Sequence, residues 1–351
     1  MDRSRHPSPE RAAPFFIVGA NRSGTTLLRL ILNAHSRLAV PEEVVYFDSQ
    51  IAGVPVERWR RPGLSSSDYA AFVRRFVHGC SRSLDGLDAA SLIAEILEEG
   101  PPDFRRPYRA VLKRWAERHG KARWGEKTPG NLFYADVIAE MFPQARFVHM
   151  VRDPRAVVSS MQRVSFFPDD VAFNALTWRK HLTEGRALLK EHVPPARRLT
   201  LRYEYLVTDP EQAVRAVCDL LGERFEPAML RFHETAGAYM KPSAASGFNE
   251  AATTPISADG VDKWKRRLSR EERAVVERLC APQMRAFGYE PAGEGRLSWA
   301  AWLGVLARGT YWAWQTWRHR HVRHYTVRHR MFARSRERAK KLLRSVGARQ
   351  S

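Results

Sequence analysis

The chain has 351 residues, of which 44% are hydrophobic, and a formal net charge of +20. That length carries one large domain with appendages, or two domains, and the apolar share supplies a sizeable core. The cationic excess points to polyanionic partners: a phosphorylated cofactor, an acidic substrate, nucleic acid or anionic lipid. Cys80, Cys218 and Cys280 are few, odd in number and far apart. They exclude a disulfide framework and a Cys-based zinc site, and imply a reducing, cytoplasmic compartment.

Residues 1–13 are polar and proline-containing, without the apolar core of a secretory signal, and read as a disordered leader. Phe15 to Val18 is a short apolar run, the pattern of a buried parallel strand. Leu27, Leu28, Ile31 and Leu32 follow at helical spacing. Between them GANRSGTT places Gly19 and Gly24 around a polar turn. Strand, glycine turn and helix bring unblocked N–H groups and the positive end of a helix dipole to one spot, which suits a phosphate. Ser23, Thr25 and Thr26 add hydroxyls, and Arg22 adds a forked cation. The glycine spacing is that of a nucleotide P-loop, but the Lys that would reach a γ-phosphate is missing, since Thr25 and Thr26 follow Gly24. The cation sits inside the loop instead, which implies an anionic nucleotide held without a triphosphate–magnesium clamp. The plainer alternative is an ordinary strand–helix turn.

Leu38 to Val40 reads as a second strand, running into Pro41, Glu42 and Glu43. Two carboxylates just past a strand end lie near the carboxyl edge of a parallel sheet, where ligands of open α/β sheets bind. One of them is a candidate general base in an apolar setting that raises its pKa; the alternative is a pair of acids at a helix start. Residues 53–120 carry three stretches of helical spacing, Asp68 to His78, Asp88 to Leu97 and Tyr108 to His119, and read as a helical cap over the sheet edge. In RWGEKTPGNLF, Lys127 is expected in a turn between a short strand and a helix from Gly130, facing the same edge or simply solvent.

Ala145 to Val151 is a further apolar strand, ending in Arg152-Asp153-Pro154-Arg155 and a helix. Pro154 suits the first turn of that helix. Arg152 and Ser160, eight residues apart, can converge on one phosphate; an Asp153 cap flanked by solvent-facing arginines is the alternative. Phe173 to His192 reads as one long amphipathic helix and Arg198 to Arg202 as a strand ending at Tyr203. Residues 237–260 form a Gly/Ala/Ser/Thr-rich loop leading to Asp262-Lys263-Trp264-Lys265-Arg266-Arg267, a basic cluster that either closes over a nucleotide or starts a solvated helix. A helix from Arg270 ends at Gly288.

Residues 291–351 differ in character. Leu297 to Trp317 carries five Trp and a single charge, Arg308. Arg318 to Ser351 carries 12 Lys/Arg against one acid, Glu337. The stretch reads as C-terminal basic helices that lie on an anionic membrane surface, or that dock on the catalytic domain or on a second subunit. The four tail histidines face solvent in this reading rather than binding metal.

GANRSGTT after a strand, EKTP in mid-chain, and RDP with a serine eight residues after its Arg resemble the sulfotransferases that use 3′-phosphoadenosine 5′-phosphosulfate (PAPS). The likeness covers residues 14–290; the run from Arg22 to Glu43 is similar to tyrosylprotein sulfotransferases, and EVVYFD and EKTPGNLF to heparan sulfate sulfotransferases. It implies an α/β, P-loop-like three-layer fold with a central parallel sheet and a helical insertion. It implies PAPS as co-substrate, with no metal required, and a hydroxyl-bearing acceptor. Arg22, Ser23, Gly24, Thr25 and Thr26 would bind the 5′-phosphosulfate, Arg152 and Ser160 the 3′-phosphate, and Tyr203 would lie by the adenine. Glu43 matches the general base, with Glu42 beside it, and Lys127 the lysine that supports the transferring group. Lys263 and Lys265 match the late nucleotide-covering segment loosely, because its Gly-rich form is absent. A P-loop kinase or NTPase, and a basic membrane- or nucleic-acid-binding protein on a degenerate enzyme fold, are the competing classes; nucleic acid is the disfavoured partner.

Overall fold

The computed structural model describes residues 13–44, 46–47, 65–164, 167–240 and 254–293, with 303 and 307. The expectations for the leader, for most of the 237–260 loop and for the C-terminal extension lie outside them, Ala13 excepted. The described chain divides into two compact units, one holding residues up to Val151 and from Glu184 to Ala258, the other Arg152 to Thr183 and the chain from Asp259.

The first unit is built on five parallel strands in the order β2-β3-β1-β4-β5. They are β1 (Phe15–Gly19), β2 (Leu38–Ala39), β3 (Arg123–Lys127), β4 (Arg146–Val151) and β5 (Arg198–Arg202). β1 lies in the middle and is wholly buried, as its unbroken FFIVG run requires. Its register sets Ile17 opposite Lys127 of β3 and Gly19 opposite Met150 of β4. Helix α1 (Thr25–Asn33) returns the chain from β1 to β2.

Helices α2 (Ser66–Ser81), α3 (Ala89–Glu98) and α4 (Arg105–Arg118) form from the three apolar stripes read in the sequence. They share one core with Phe16, Val18, Ala39 and Phe147 of the strands. They therefore cover a face of the sheet, where a cap over its edge was expected: stripes at i, i+3 and i+4 bury best against a row of alternating strand side chains. Tyr46 anchors this layer, its ring 4.5 Å from that of Tyr108 and 4.6 Å from that of Phe76.

Lys127 is the last residue of β3 rather than part of a turn. After it come a 3₁₀ stretch, Pro129–Tyr134, and α5 (Ala135–Met141). Arg123, at the start of β3, is 4% exposed. Its guanidinium donates to the Ala13 carbonyl at 2.6 Å and to the Leu221 carbonyl, and pairs with Glu223 at 3.3 Å. α8 (Arg186–His192), α9 (Tyr203–Thr208) and α10 (Pro210–Leu221) complete this unit together with short 3₁₀ turns.

The second unit holds α6 (Pro154–Met161), α7 (Val171–Lys180), α11 (Trp264–Arg267) and α12 (Arg270–Ala286). The expected long helix to His192 is broken by a π turn at His181–Gly185, before α8. α12 opens on a Ser269–Glu272 capping box and closes at Gly288, whose φ of 69° suits a residue without Cβ. Among the described residues no helix is long and apolar enough to cross a membrane.

Candidate active site

The turn after β1 is held open by glycine. A Cβ on Gly19 would stand 2.3 Å from the Met150 carbonyl oxygen, and one on Gly24 would stand 2.5 Å from the Tyr203 ring. Arg22 takes the left-handed conformation at φ 66°, unusual for a residue with a side chain, and such strain gathers at functional turns. α1 begins at Gly24 without a side-chain cap and without an acid in its first turn. Its first N–H groups and its dipole are thus available to an anion. Ser23 Oγ and Asn21 Nδ2 are buried with no protein partner, although buried polar atoms are normally bonded. A phosphate or sulfonate oxygen in the turn satisfies both deficits, so the residues fit a phosphosulfate.

One strand away, Lys127 Nζ donates to Glu43 Oε1 at 2.7 Å. The lysine is buried and the Glu43 side chain is 38% exposed. The apolar setting expected for the base is therefore not what surrounds Glu43; a cation and solvent hold it, because Lys127 ends β3 beside it. Asn33 fixes the approach to this carboxylate. Its side chain donates to the Val40 carbonyl and accepts from the Val40 N–H, both at 2.8 Å, just before Pro41-Glu42-Glu43.

The carboxylate that does sit in an apolar setting is Glu126. It is fully buried, and Asn131 Nδ2 donates to it at 2.7 Å while the Thr128 hydroxyl donates to its other oxygen. Burial pushes it up to about 7 against those hydrogen bonds and Lys127. The ring of Tyr203, first residue of α9, fills the space beside Gly24 and so borders the phosphate turn.

In the second unit, Arg152 follows β4 directly and its Nη2 donates to the Gly260 carbonyl at 3.4 Å. Ser160 is half-buried on α6, whose N-terminus is capped by Asp153 accepting from the Arg155 N–H at 2.8 Å. Arg155 does not face solvent as the alternative reading had it. It forks onto Asp153, reaches Glu277 at 2.7 Å and lies 4.1 Å over the Trp264 ring, so Trp264 is fixed to the RDP turn. Removing one partner from such a buried pair costs about 3–5 kcal/mol. Lys263 is exposed, and Lys265 pairs with Asp262 at 3.0 Å on the surface.

Arg22 to Thr26, Glu43, Lys127 and Tyr203 belong to the first unit, where Tyr203 borders Gly24 and Lys127 pairs with Glu43; Arg152, Ser160, Lys263 and Lys265 belong to the second. The residue-by-residue reading passed over Asn21, Arg29 and Glu126. Arg29 had a visible signal, a charge inside the apolar run LLRLIL at four residues from Thr25.

The profile described as "Sulfotransferase family" matches residues 14–227. The chain belongs to the sulfotransferase family. This sulfotransferase is 24% identical over 289 residues to protein-tyrosine sulfotransferase A of Caenorhabditis elegans, covering 80% of this chain and 68% of that protein. It is 26% identical over 290 residues to protein-tyrosine sulfotransferase 2 of Gallus gallus, covering 79% and 69%. The sulfotransferase domain from the Synechococcus PCC 7002 olefin synthase superposes with a TM-score of 0.56 at 24% identity, over 82% of this chain and 98% of that one. The fold is accordingly that of the sulfotransferases, and the chain is an enzyme of sulfuryl transfer.

Proposed function

We propose that this sulfotransferase moves the sulfonyl group of PAPS to an acceptor hydroxyl, leaving adenosine 3′,5′-bisphosphate and a sulfate ester. The observation that carries it is the Glu43–Lys127 pair at the end of β3, next to the strand that opens into the uncapped glycine turn. PAPS supplies the sulfonyl group and a phosphate that leaves with its charge. Arg22, Ser23, the N–H groups from Gly24 on, Thr25 and Thr26 hold that phosphate and oppose the charge growing on it. Lys127 lies where a cation steadies the sulfonyl oxygens. Glu43 takes the acceptor's proton, with Lys127 orienting its carboxylate. Arg152 and Ser160 grip the 3′-phosphate, Tyr203 borders the nucleotide, and Lys263 and Lys265 lie on the segment that covers it. By analogy with phosphoryl transfer, positioning and electrostatics carry much of the transfer.

The named relatives act on protein tyrosine, and the acceptor here is a hydroxyl of tyrosine, carbohydrate, lipid or small metabolite. A labelling screen of cell-extract fractions with ³⁵S-PAPS identifies the class. The three buried free thiols support a cytoplasmic enzyme, with residues 297–351 resting on an anionic membrane face. Glu43→Gln tests the reading: it keeps binding of adenosine 3′,5′-bisphosphate by calorimetry and loses turnover by about 10²–10⁴-fold. Near-normal turnover would remove Glu43 as the base. A larger gain in melting temperature from ATP with magnesium than from adenosine 3′,5′-bisphosphate would restore the kinase reading.

A further inference from the structure

The second unit carries a buried charge cluster to which the transfer chemistry gives no task. Its centre is Arg155, 6% exposed, in the first turn of α6. The guanidinium forks onto the Asp153 carboxylate, Nε at 3.0 Å and Nη2 at 2.7 Å, while Nη1 donates to Glu277 of α12 at 2.7 Å. Its central carbon lies 4.1 Å over the Trp264 ring of α11. Ala156, the next residue along, packs with Trp264 and Leu268 in one buried cluster. Glu277 is itself buried and also accepts from the N–H groups of Ala292 and Gly293, at 3.1 and 3.3 Å. One cation thus ties the RDP turn to α11, to α12 and, through Glu277, to the chain that leaves α12.

Burying such charges gains little over packing apolar side chains in the same space, so stability alone does not account for the cluster. What it fixes is geometry. A planar fork takes carboxylates in few directions, and the ring beneath it adds a further constraint. The groups held in this way are the neighbours of those assigned to the 3′-phosphate. Arg152 lies three residues before Arg155. Its carbonyl accepts from Trp178 Nε1 at 3.0 Å, and its Nη2 reaches the Gly260 carbonyl, four residues before Trp264. Ser160 stands on α6 itself. The contact between Arg152 and Gly260 is therefore flanked, on both segments, by the contact between Arg155 and Trp264.

We propose that Arg155 is a positioning residue of the cofactor site: through Asp153, Glu277 and Trp264 it holds the start of α6 and the 260–268 segment together, and thereby sets the preference for a nucleotide that carries a 3′-phosphate. It acts through Arg152 and Ser160, and the inference rests on the reading of those two as the grip on that phosphate. A grip assembled before the nucleotide arrives loses less affinity to ordering its side chains.

Calorimetry with two nucleotides that differ only in that phosphate tests it: adenosine 3′,5′-bisphosphate and adenosine 5′-phosphate. Arg155→Lys keeps a cation between the carboxylates but loses the fork and the flat group over Trp264. It is expected to weaken adenosine 3′,5′-bisphosphate about tenfold or more, the value of one charge-assisted contact, while adenosine 5′-phosphate binds as it does to the wild type. A general loosening of the fold weakens both nucleotides alike, and that outcome overturns the positioning role; so does an unchanged ratio of the two affinities. If Arg155→Lys does not fold, Trp264→Leu supplies the measurement, since it leaves the buried ion pairs whole and removes only the ring. Its ratio is expected to fall about threefold or more, the worth of a cation–π contact, and an unchanged ratio overturns the inference. The wild-type protein separates the two readings. If it binds both nucleotides alike, the assignment of Arg152 and Ser160 falls and the inference with it. If it prefers the bisphosphate and Arg155→Lys keeps that preference, the inference alone falls.

Discussion

Arg22 holds a costly backbone conformation in the turn proposed to bind phosphate. Its left-handed backbone places a cation inside the phosphate turn, at a strain of about 1–3 kcal/mol that a glycine would not bear. Arg22→Gly is expected to keep or raise the melting temperature while weakening adenosine 3′,5′-bisphosphate at least about tenfold, the value of a charge-assisted bond. Calorimetry and thermal melts on the same variant check both halves. Glu126 is a second case. Its folded-state value of about 7 lies above the ordinary glutamate range, so between about pH 4.5 and 7 the folded protein holds a proton that the unfolded chain has released. The stability it permits is fully present below that window and falls as pH rises through it. Glu126→Gln should flatten the dependence of melting temperature on pH over the same interval.

Elements were legible where one force dominated. The apolar runs of β1 and β4 announce buried parallel strands, and the stripes of α2 to α4 appear within a few residues of their places. The glycine turn was legible because Gly19 and Gly24 answer steric demands that no other residue meets. What could not be read depends on partners distant in sequence. Nothing local says that Arg155 will be claimed by Glu277 and Trp264, more than 100 residues away, or that Arg29 will find the Tyr239 carbonyl. The π turn at His181–Gly185 has no composition cue either, since the helical pattern continues on both sides of it. The setting of Glu43 was misjudged for the same reason: Lys127, which replaces the expected apolar neighbours, comes from 84 positions along the chain.

For the chain as a whole, charge is the most uneven property. The last 34 residues, from Arg318, hold 12 cations and one acid, whereas the residues proposed to bind, orient and deprotonate all lie before residue 290. A chain lacking residues 297–351 should therefore bind adenosine 3′,5′-bisphosphate as before and lose its retention on phosphatidylserine vesicles, read by calorimetry and co-sedimentation. Arg123 carries a further consequence, for the order in which the protein is made. Its buried guanidinium needs Ala13, Leu221 and Glu223 at once, residues separated by most of the first unit. A nascent polypeptide that has emerged only through β4 holds the central strands and Ala13 but lacks Leu221 and the Glu223 carboxylate that this cation pairs with, and domains settle as units during synthesis. Ribosome-tethered chains should stay open to protease until Glu223 clears the exit tunnel, then become resistant in one step.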